Sequence, residues 1–209
     1  MTKGLFSLSK VGQGVSGHSP SSASGSYISK YLVAHYQKIK NLDNDLKRVP
    51  AKEEYFFLQS DKQFNAFTFI PLLCSKFSIK HLYVATYSIN QRVIAALVEL
   101  HNEGLIEQIT LIISDTLLSR NQAISDQLAG IASQYANINV MFAWVHAKVC
   151  LLETQDDHYV IEGSGNWSEN AAYEQYVFAN SKGLYDFRMK LFTETTIRHK
   201  VIYGNITKM

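Results

Sequence analysis

A histidine and a lysine stand two residues apart, His146 and Lys148, in the run Trp144-Val-His-Ala-Lys-Val-Cys-Leu-Leu-Glu153. Fifteen residues after Lys148 begins a second polar cluster, Gly163-Ser-Gly-Asn166. Side chains on a strand alternate faces, so His146 and Lys148 are expected to project from one face. Ser164 and Asn166 have the same spacing and meet them from a neighbouring strand. An imidazole, an ammonium, a hydroxyl and a carboxamide are thereby gathered around one point. Such a set suits a phosphoryl group, with one nucleophile and with cationic and neutral donors for the equatorial oxygens. Either cluster alone has a blander explanation. A His-x-Lys pair is commonly a solvated strand face, and Gly, Ser and Asn favour turns for backbone reasons. Both clusters in this order, each flanking an expected strand, favour chemistry.

His146-x-Lys148, four residues, an acid at Glu153, then Gly163-Ser164-x-Asn166 resembles the signature of the phospholipase D-like superfamily. That pattern is His-x-Lys-x4-Asp followed by Gly-Ser and an Asn, and the order of elements from about residue 55 to 200 is similar too. The chain departs from the pattern at its acid, which is Glu153 rather than Asp. By strand parity Glu153 faces away from His146, so it is expected to be a structural anchor.

The resemblance implies a chemistry that needs two half-sites. One His attacks phosphorus to form a phosphohistidine, and the other protonates the leaving oxygen and then activates water. Among seven histidines only His146 has a lysine two positions on, so the chain holds one half. A two-fold homodimer would set the two copies of His146 across one cleft, and their titration would belong to the pair. Lys148 and Asn166 are then expected on the phosphoryl oxygens and Ser164 within the cleft. Glu174 is expected to orient the catalytic His, as a carboxylate in similar proteins does, with Glu169 the nearer competitor. By parity Cys150 shares the His146 face and lines the floor. Small single-motif members are mostly nucleases that need no metal, which implies a DNA or RNA phosphodiesterase without a cofactor. A phospholipase or phosphatidyltransferase, and a non-catalytic protein retaining the fold, are the alternatives.

With 209 residues, 46% hydrophobic and 18% charged, the chain is long enough for one domain with a substantial core. No apolar run is long enough to span a membrane, and no apolar secretory segment follows Lys3 or Lys10. Cys74 and Cys150 give neither a disulfide framework nor metal-ligand spacing. The expected location is cytoplasmic. Net charge is +2 but uneven: residues 1–52 carry eight Lys/Arg against two acids, and 182–209 carry six against two. Basic ends fit contacts to a phosphate backbone, and equally fit solvated termini.

Residues 1–27 are rich in Ser and Gly and are expected to be flexible, ordering only on a docking partner. A basic amphipathic helix is expected within 28–50, with Leu32, Ile39, Leu42 and Leu46 on one stripe. From 51 to 209 strands and helices alternate. Strands are expected at 55–58, 81–87 and 109–113, and helices at 64–76, 91–103 and 121–135. Residues 139–144 and 146–152 read as two strands or one bent strand; 159–162 and 174–178 are further strands, and 185–195 a last helix. This predicts an α/β sandwich around a mixed, largely parallel sheet flanked by helices. Gly163-Ser-Gly-Asn-Trp lacks the third glycine of a dinucleotide-binding turn and does not follow the first strand, which argues against a Rossmann site.

Overall fold

A computed structural model describes residues 33–39, 42–60, 65–168 and 173–209. The Ser/Gly-rich segment 1–27 and the competing carboxylate Glu169 lie outside the described residues. One ten-stranded sheet organises everything else. Its strands, in chain order, are β1 (Val33–Ile39), β2 (Glu54–Ser60), β3 (Ile79–Thr86), β4 (Ile106–Ser114), β5 (Ile138–Ala143), β6 (Val149–Glu153), β7 (His158–Gly163), β8 (Gln175–Asn180), β9 (Ile197–Ile202) and β10 (Asn205–Lys208). Across the sheet they run β1-β2-β8-β7-β6-β3-β4-β5-β9-β10.

The mixed sheet flanked by helices is as expected, but its parallel share is smaller. Parallel pairing joins β1 to β2 and β3 to β4 to β5, while the other six pairings are antiparallel. Connection length explains the difference. A four-residue turn closes β6 onto β7, with the Asp157 N–H donating to Thr154 Oγ1 at 2.9 Å, and so short a turn joins only antiparallel strands. The stretch from β3 to β4 contains helix α3 (Gln91–Asn102), and that from β4 to β5 contains α4 (Thr116–Arg120) and α5 (Gln122–Gln134), long enough to return the chain in parallel.

The helix expected within 28–50 is corrected: among the described residues of that span Val33–Ile39 is a strand, and only Leu42–Asp45 (α1) is helical. The open edge of β2 offers a row of backbone donors and acceptors, and pairing with it outweighs a seven-residue apolar spacing. Two further strands, β9 and β10, follow the last helix, α6 (Lys182–Glu194), and extend the sheet beyond β5.

One sheet face carries the main core. Leu82, Val84, Leu111, Ile113, Leu152 and Phe178 lie buried there against α2 (Phe69–Cys74), α3 and α5. In α3 the Asn90 side chain accepts from the Val93 N–H at 2.9 Å as an N-cap, and Val93, Ile94 and Leu97 face the sheet. Gly104, at φ +74°, ends that helix in a conformation that favours glycine. The opposite face has a smaller core of Val149, Leu151, Val160 and Tyr185 under α6. Beside α6 this second face opens into a cleft.

Candidate active site

Five strand ends converge at the cleft. The registers Ala85↔Val149, Val149↔Glu162, Gly163↔Tyr176 and Gln59↔Gln175 bring the ends of β3, β7 and β2 beside the beginnings of β6 and β8. The cleft measures about 1350 Å³, and His146, Lys148, Ser164 and Glu174 are in its wall.

His146 and Lys148 do not sit in a strand ladder, as their spacing suggested. They lie between β5 and β6, on residues 144–148. The topology requires this. β5 and β6 are separated by β4 and β3, so the chain must cross three inter-strand spacings, about 14 Å. Six residue steps reach about 20 Å when extended, so this segment has just enough length to serve as a strap over the ends of β3 and β4. It leaves His146 exposed and Lys148 half-buried. The Lys148 ammonium donates to the His146 carbonyl at 3.0 Å and lies 3.3 Å from His146 Nδ1. Tyr87, just past the end of β3, packs its ring 4.7 Å from the imidazole and lies 5.6 Å from the Lys148 ammonium. Burial pulls the Lys148 pKa below its ordinary value, opposed in part by the Glu174 carboxylate and by Tyr87.

Ser164 follows β7 directly. Its N–H donates to the Gln175 carbonyl at 3.0 Å, its Oγ accepts from the Gln175 N–H at 3.0 Å, and its hydroxyl donates to the Glu174 carboxylate. Glu174 is held by its backbone to Ser60: its N–H donates to Ser60 Oγ, and its carbonyl accepts from the Ser60 N–H, both at 2.8 Å. The close approach of β7 and β8 depends on Gly163, where an added Cβ would collide with the Gln175 carbonyl oxygen and meet Tyr176 Cδ1 at 2.9 Å. Glu174 therefore engages Ser164 directly and Lys148 through its field.

Asn166 is half-buried, and its carbonyl accepts from the Ala66 N–H at 3.3 Å. Next to it Trp167, 1% exposed, packs edge-on against Phe67 at 5.3 Å and pins the loop to Ser88 and Asn90 by backbone hydrogen bonds. Cys150 does not form the cleft floor. The strap breaks strand parity, and Cys150 points into the main core, where burial pushes its thiol up to about 12. Glu153 closes the far end of β6, opposite His81 and His158 in the ladder.

Three features had no signal in the spacing of polar residues. Tyr87 ends an expected strand, and its place beside His146 follows only from the crossover of the strap. Arg188 on α6 pairs with Glu162 through both nitrogens of its fork, one at 2.9 Å, and clamps the helix at the cleft wall. Tyr173, 69% exposed at φ +66°, forms part of the rim. Among the described residues no group of three or more His, Cys, Asp or Glu side chains is placed to hold a metal ion. No described helix is long and apolar enough to cross a membrane.

The family model described as "Cardiolipin synthase, PLD-like domain" matches residues 75–192. No curated protein matches the chain. Among solved structures, NucT from Helicobacter pylori is similar, with 21% identity and a TM-score of 0.44, over 66% of this chain and 94% of that one. Phosphatidylserine synthase from Haemophilus influenzae matches at 12% identity and a TM-score of 0.49, over 68% of this chain and 39% of its own. Polyphosphate kinase from Porphyromonas gingivalis gives 12% identity and a TM-score of 0.49, over 63% of this chain and 25% of its own.

Proposed function

Because the chain belongs to the phospholipase D-like family, we propose that it is a metal-independent phosphodiesterase that hydrolyses nucleic acid, with His146 as its nucleophile, working as a homodimer. One observation carries the reading: the Lys148 ammonium is fixed beside the exposed His146 imidazole at the wall of a 1350 Å³ cleft shared with Ser164 and Glu174. A neutral His146 attacks phosphorus, a P–N bond forms, and the P–O bond to the leaving alcohol breaks. That alcohol takes its proton from His146 of the second copy. Water then attacks phosphorus and gives up a proton to the second imidazole, and the P–N bond breaks to return the free enzyme. Lys148 bears on the phosphoryl oxygens, where a cationic donor stabilises the charge that develops, while Asn166, expected there too, does not line the cleft and holds the loop behind Ser164 through its carbonyl on the Ala66 N–H. Ser164 and Glu174 form one hydrogen-bonded unit at the cleft wall, and the carboxylate supports the Lys148 ammonium.

A neutral ring that accepts from Lys148 at Nδ1 carries its proton on Nε2. Attack through Nε2 therefore requires the other tautomer, and Lys148 must leave Nδ1 for the phosphate as substrate enters. A lipid head-group diester is the second reading. It is favoured by the half-buried apolar side of the cleft, where Phe57, Val177 and Leu191 offer a place for a chain.

The test is a substrate panel of plasmid, single-stranded DNA, RNA and phosphatidylcholine, each in excess EDTA, with wild type and His146→Ala. Nucleic-acid cleavage by wild type alone is expected, inhibited by vanadate. Loss of activity in EDTA with recovery on Mg²⁺ would sink the mechanism, and cleavage of phosphatidylcholine alone would select the lipid reading. Light scattering should return about twice the 23.6 kDa chain mass, with specific activity falling on dilution.

A further inference from the structure

Trp144 is 72% exposed, two residues before His146 on the strap. The Arg198 guanidinium lies over its ring at 5.4 Å. Arg198 is held in place by Asp115, to which it donates at 2.8 Å, and Asp115 in turn donates its backbone N–H to the Ala143 carbonyl at 2.9 Å. A second aromatic–cation pair, built on Tyr87, lies beside the His146 ring. Arg120 donates to the Tyr87 hydroxyl, with its guanidinium 5.4 Å from that ring. None of these four side chains contributes to the cleft wall.

An exposed indole among cations differs from an exposed indole in an apolar patch. The other exposed apolar side chains on β9 and its turn, Ile202 and Tyr203, are at the far end of that strand from Ile197, which pairs with Ala143. Five residue steps put them about 16 Å away. A membrane-seeking surface groups its apolar side chains, and here the tryptophan ring is faced by the Arg198 guanidinium, with one exposed apolar side chain, Met209, beside it, whose N–H donates to the Arg198 carbonyl at 2.8 Å. Planar aromatic rings with Arg beside a phosphate-handling site are what unpaired bases stack on, since every base has a π-face and the backbone is anionic.

We propose that Trp144, backed by Arg198, is a base-stacking subsite beside His146 that selects single-stranded over duplex nucleic acid; this rests on the nuclease reading above. Two residue steps span at most about 7 Å, so a base on Trp144 belongs to a nucleotide flanking the phosphate at His146. Paired bases in a duplex present no free face, so only an unpaired or splayed strand can occupy the subsite.

The protein contains two tryptophans, and Trp167 is buried, so fluorescence quenching by added nucleic acid reports Trp144. Wild type is titrated with single-stranded oligothymidylate and with an equal-length strand carrying tetrahydrofuran abasic units. Quenching by the first and about tenfold tighter binding of it are expected, within the range of one stacked base. Trp144→Ala should bring the two affinities within about twofold, and Trp144→Phe should keep part of the difference. Cleavage of the abasic strand should be the same in wild type and Trp144→Ala, which separates stacking from catalysis and from misfolding. Equal binding of both strands by wild type, or an undiminished preference in Trp144→Ala, overturns the subsite even where DNA is cleaved. Failure to cleave any nucleic acid overturns the underlying reading instead. Quenching by phosphatidylglycerol vesicles and not by oligonucleotides overturns both.

Discussion

The two ends of β6 hold much the same side chains and differ in nearly everything else. At its beginning are His146, Lys148, Tyr87 and Glu174; at its end are Glu153, His81, His158, Tyr83 and Tyr185. At the far end the imidazoles lie in strand ladders. His81 stacks on Tyr83 at 3.7 Å and its Nε2 meets Thr110 Oγ1 at 2.9 Å, while His158 packs edge-on to Tyr185 at 4.9 Å beneath α6. Burial lowers the pKa of both, so the neutral ring is favoured. At the near end the imidazole is on a strap and open to a cleft. Residue type alone therefore does not separate chemistry from packing. What separates them is whether the backbone beneath the side chain belongs to a ladder or to a crossing.

The sharpest way to break this comparison is to delete one imidazole from each end. His146→Ala should cut turnover by at least about three orders of magnitude, since the proposed nucleophile and acid would be lost together, with an unchanged thermal midpoint. His81→Ala should leave turnover within about twofold and lower the midpoint by about 4 °C. Calorimetry beside a cleavage assay reads both, and swapped outcomes would place the chemistry at the wrong end.

Gly163→Ala comes next. The new methyl collides with the Gln175 carbonyl, so β7 and β8 must part and carry Ser164 away from Glu174. A shift of that size costs about a hundredfold in turnover and about 1–3 kcal/mol of stability by overpacking, measurable by kinetics and urea melts. Wild-type activity in this variant would remove the Ser164–Glu174 contact from the site.

Two pH effects are smaller. His81 and His158 have folded pKa values below the ordinary 6.5, so below that pH the unfolded chain binds more protons than the folded one. Stability should fall as pH drops through 6.5 and level off below the folded values, by at most about 1.4 kcal/mol per pH unit for each proton. His81→Leu should flatten that slope in melts run from neutral pH to pH 4. Lys148 titrates below its ordinary 10.5, so the alkaline limb of activity should lie below that value. Lys148→Arg keeps its charge and should move the limb upward, whatever its effect on the maximum rate.

Much of this was legible in the chain. The apolar runs at 81–87 and 109–113 and the amphipathic helices at 91–103 and 121–135 announced the central units because local pattern and burial agree there. His146, Lys148, Ser164 and Glu174 were visible by type and order, and the cleft brings them to one wall. Strand parity around His146 misled, because parity applies within a ladder and the strap is not one; Cys150 was misplaced for the same reason. The apolar spacing through Val33–Ile39 fits a helix, while the strand edge that claims it is twenty-one residues downstream in β2. Tyr87 and Arg198 reach the site through pairings between distant segments, which no local pattern encodes.

Strand order also dictates when the site can exist. β2 pairs with β8, residue 54 against residue 180, and Ser60 binds Glu174. The cleft wall thus joins segments more than a hundred residues apart, and closing so long a loop comes late and slowly. On a ribosome, His146 emerges long before β8 does. A nascent chain that stops short of Gln175 has its imidazole and its lysine but no opposite wall, so the cleft forms only once β8 has joined the sheet.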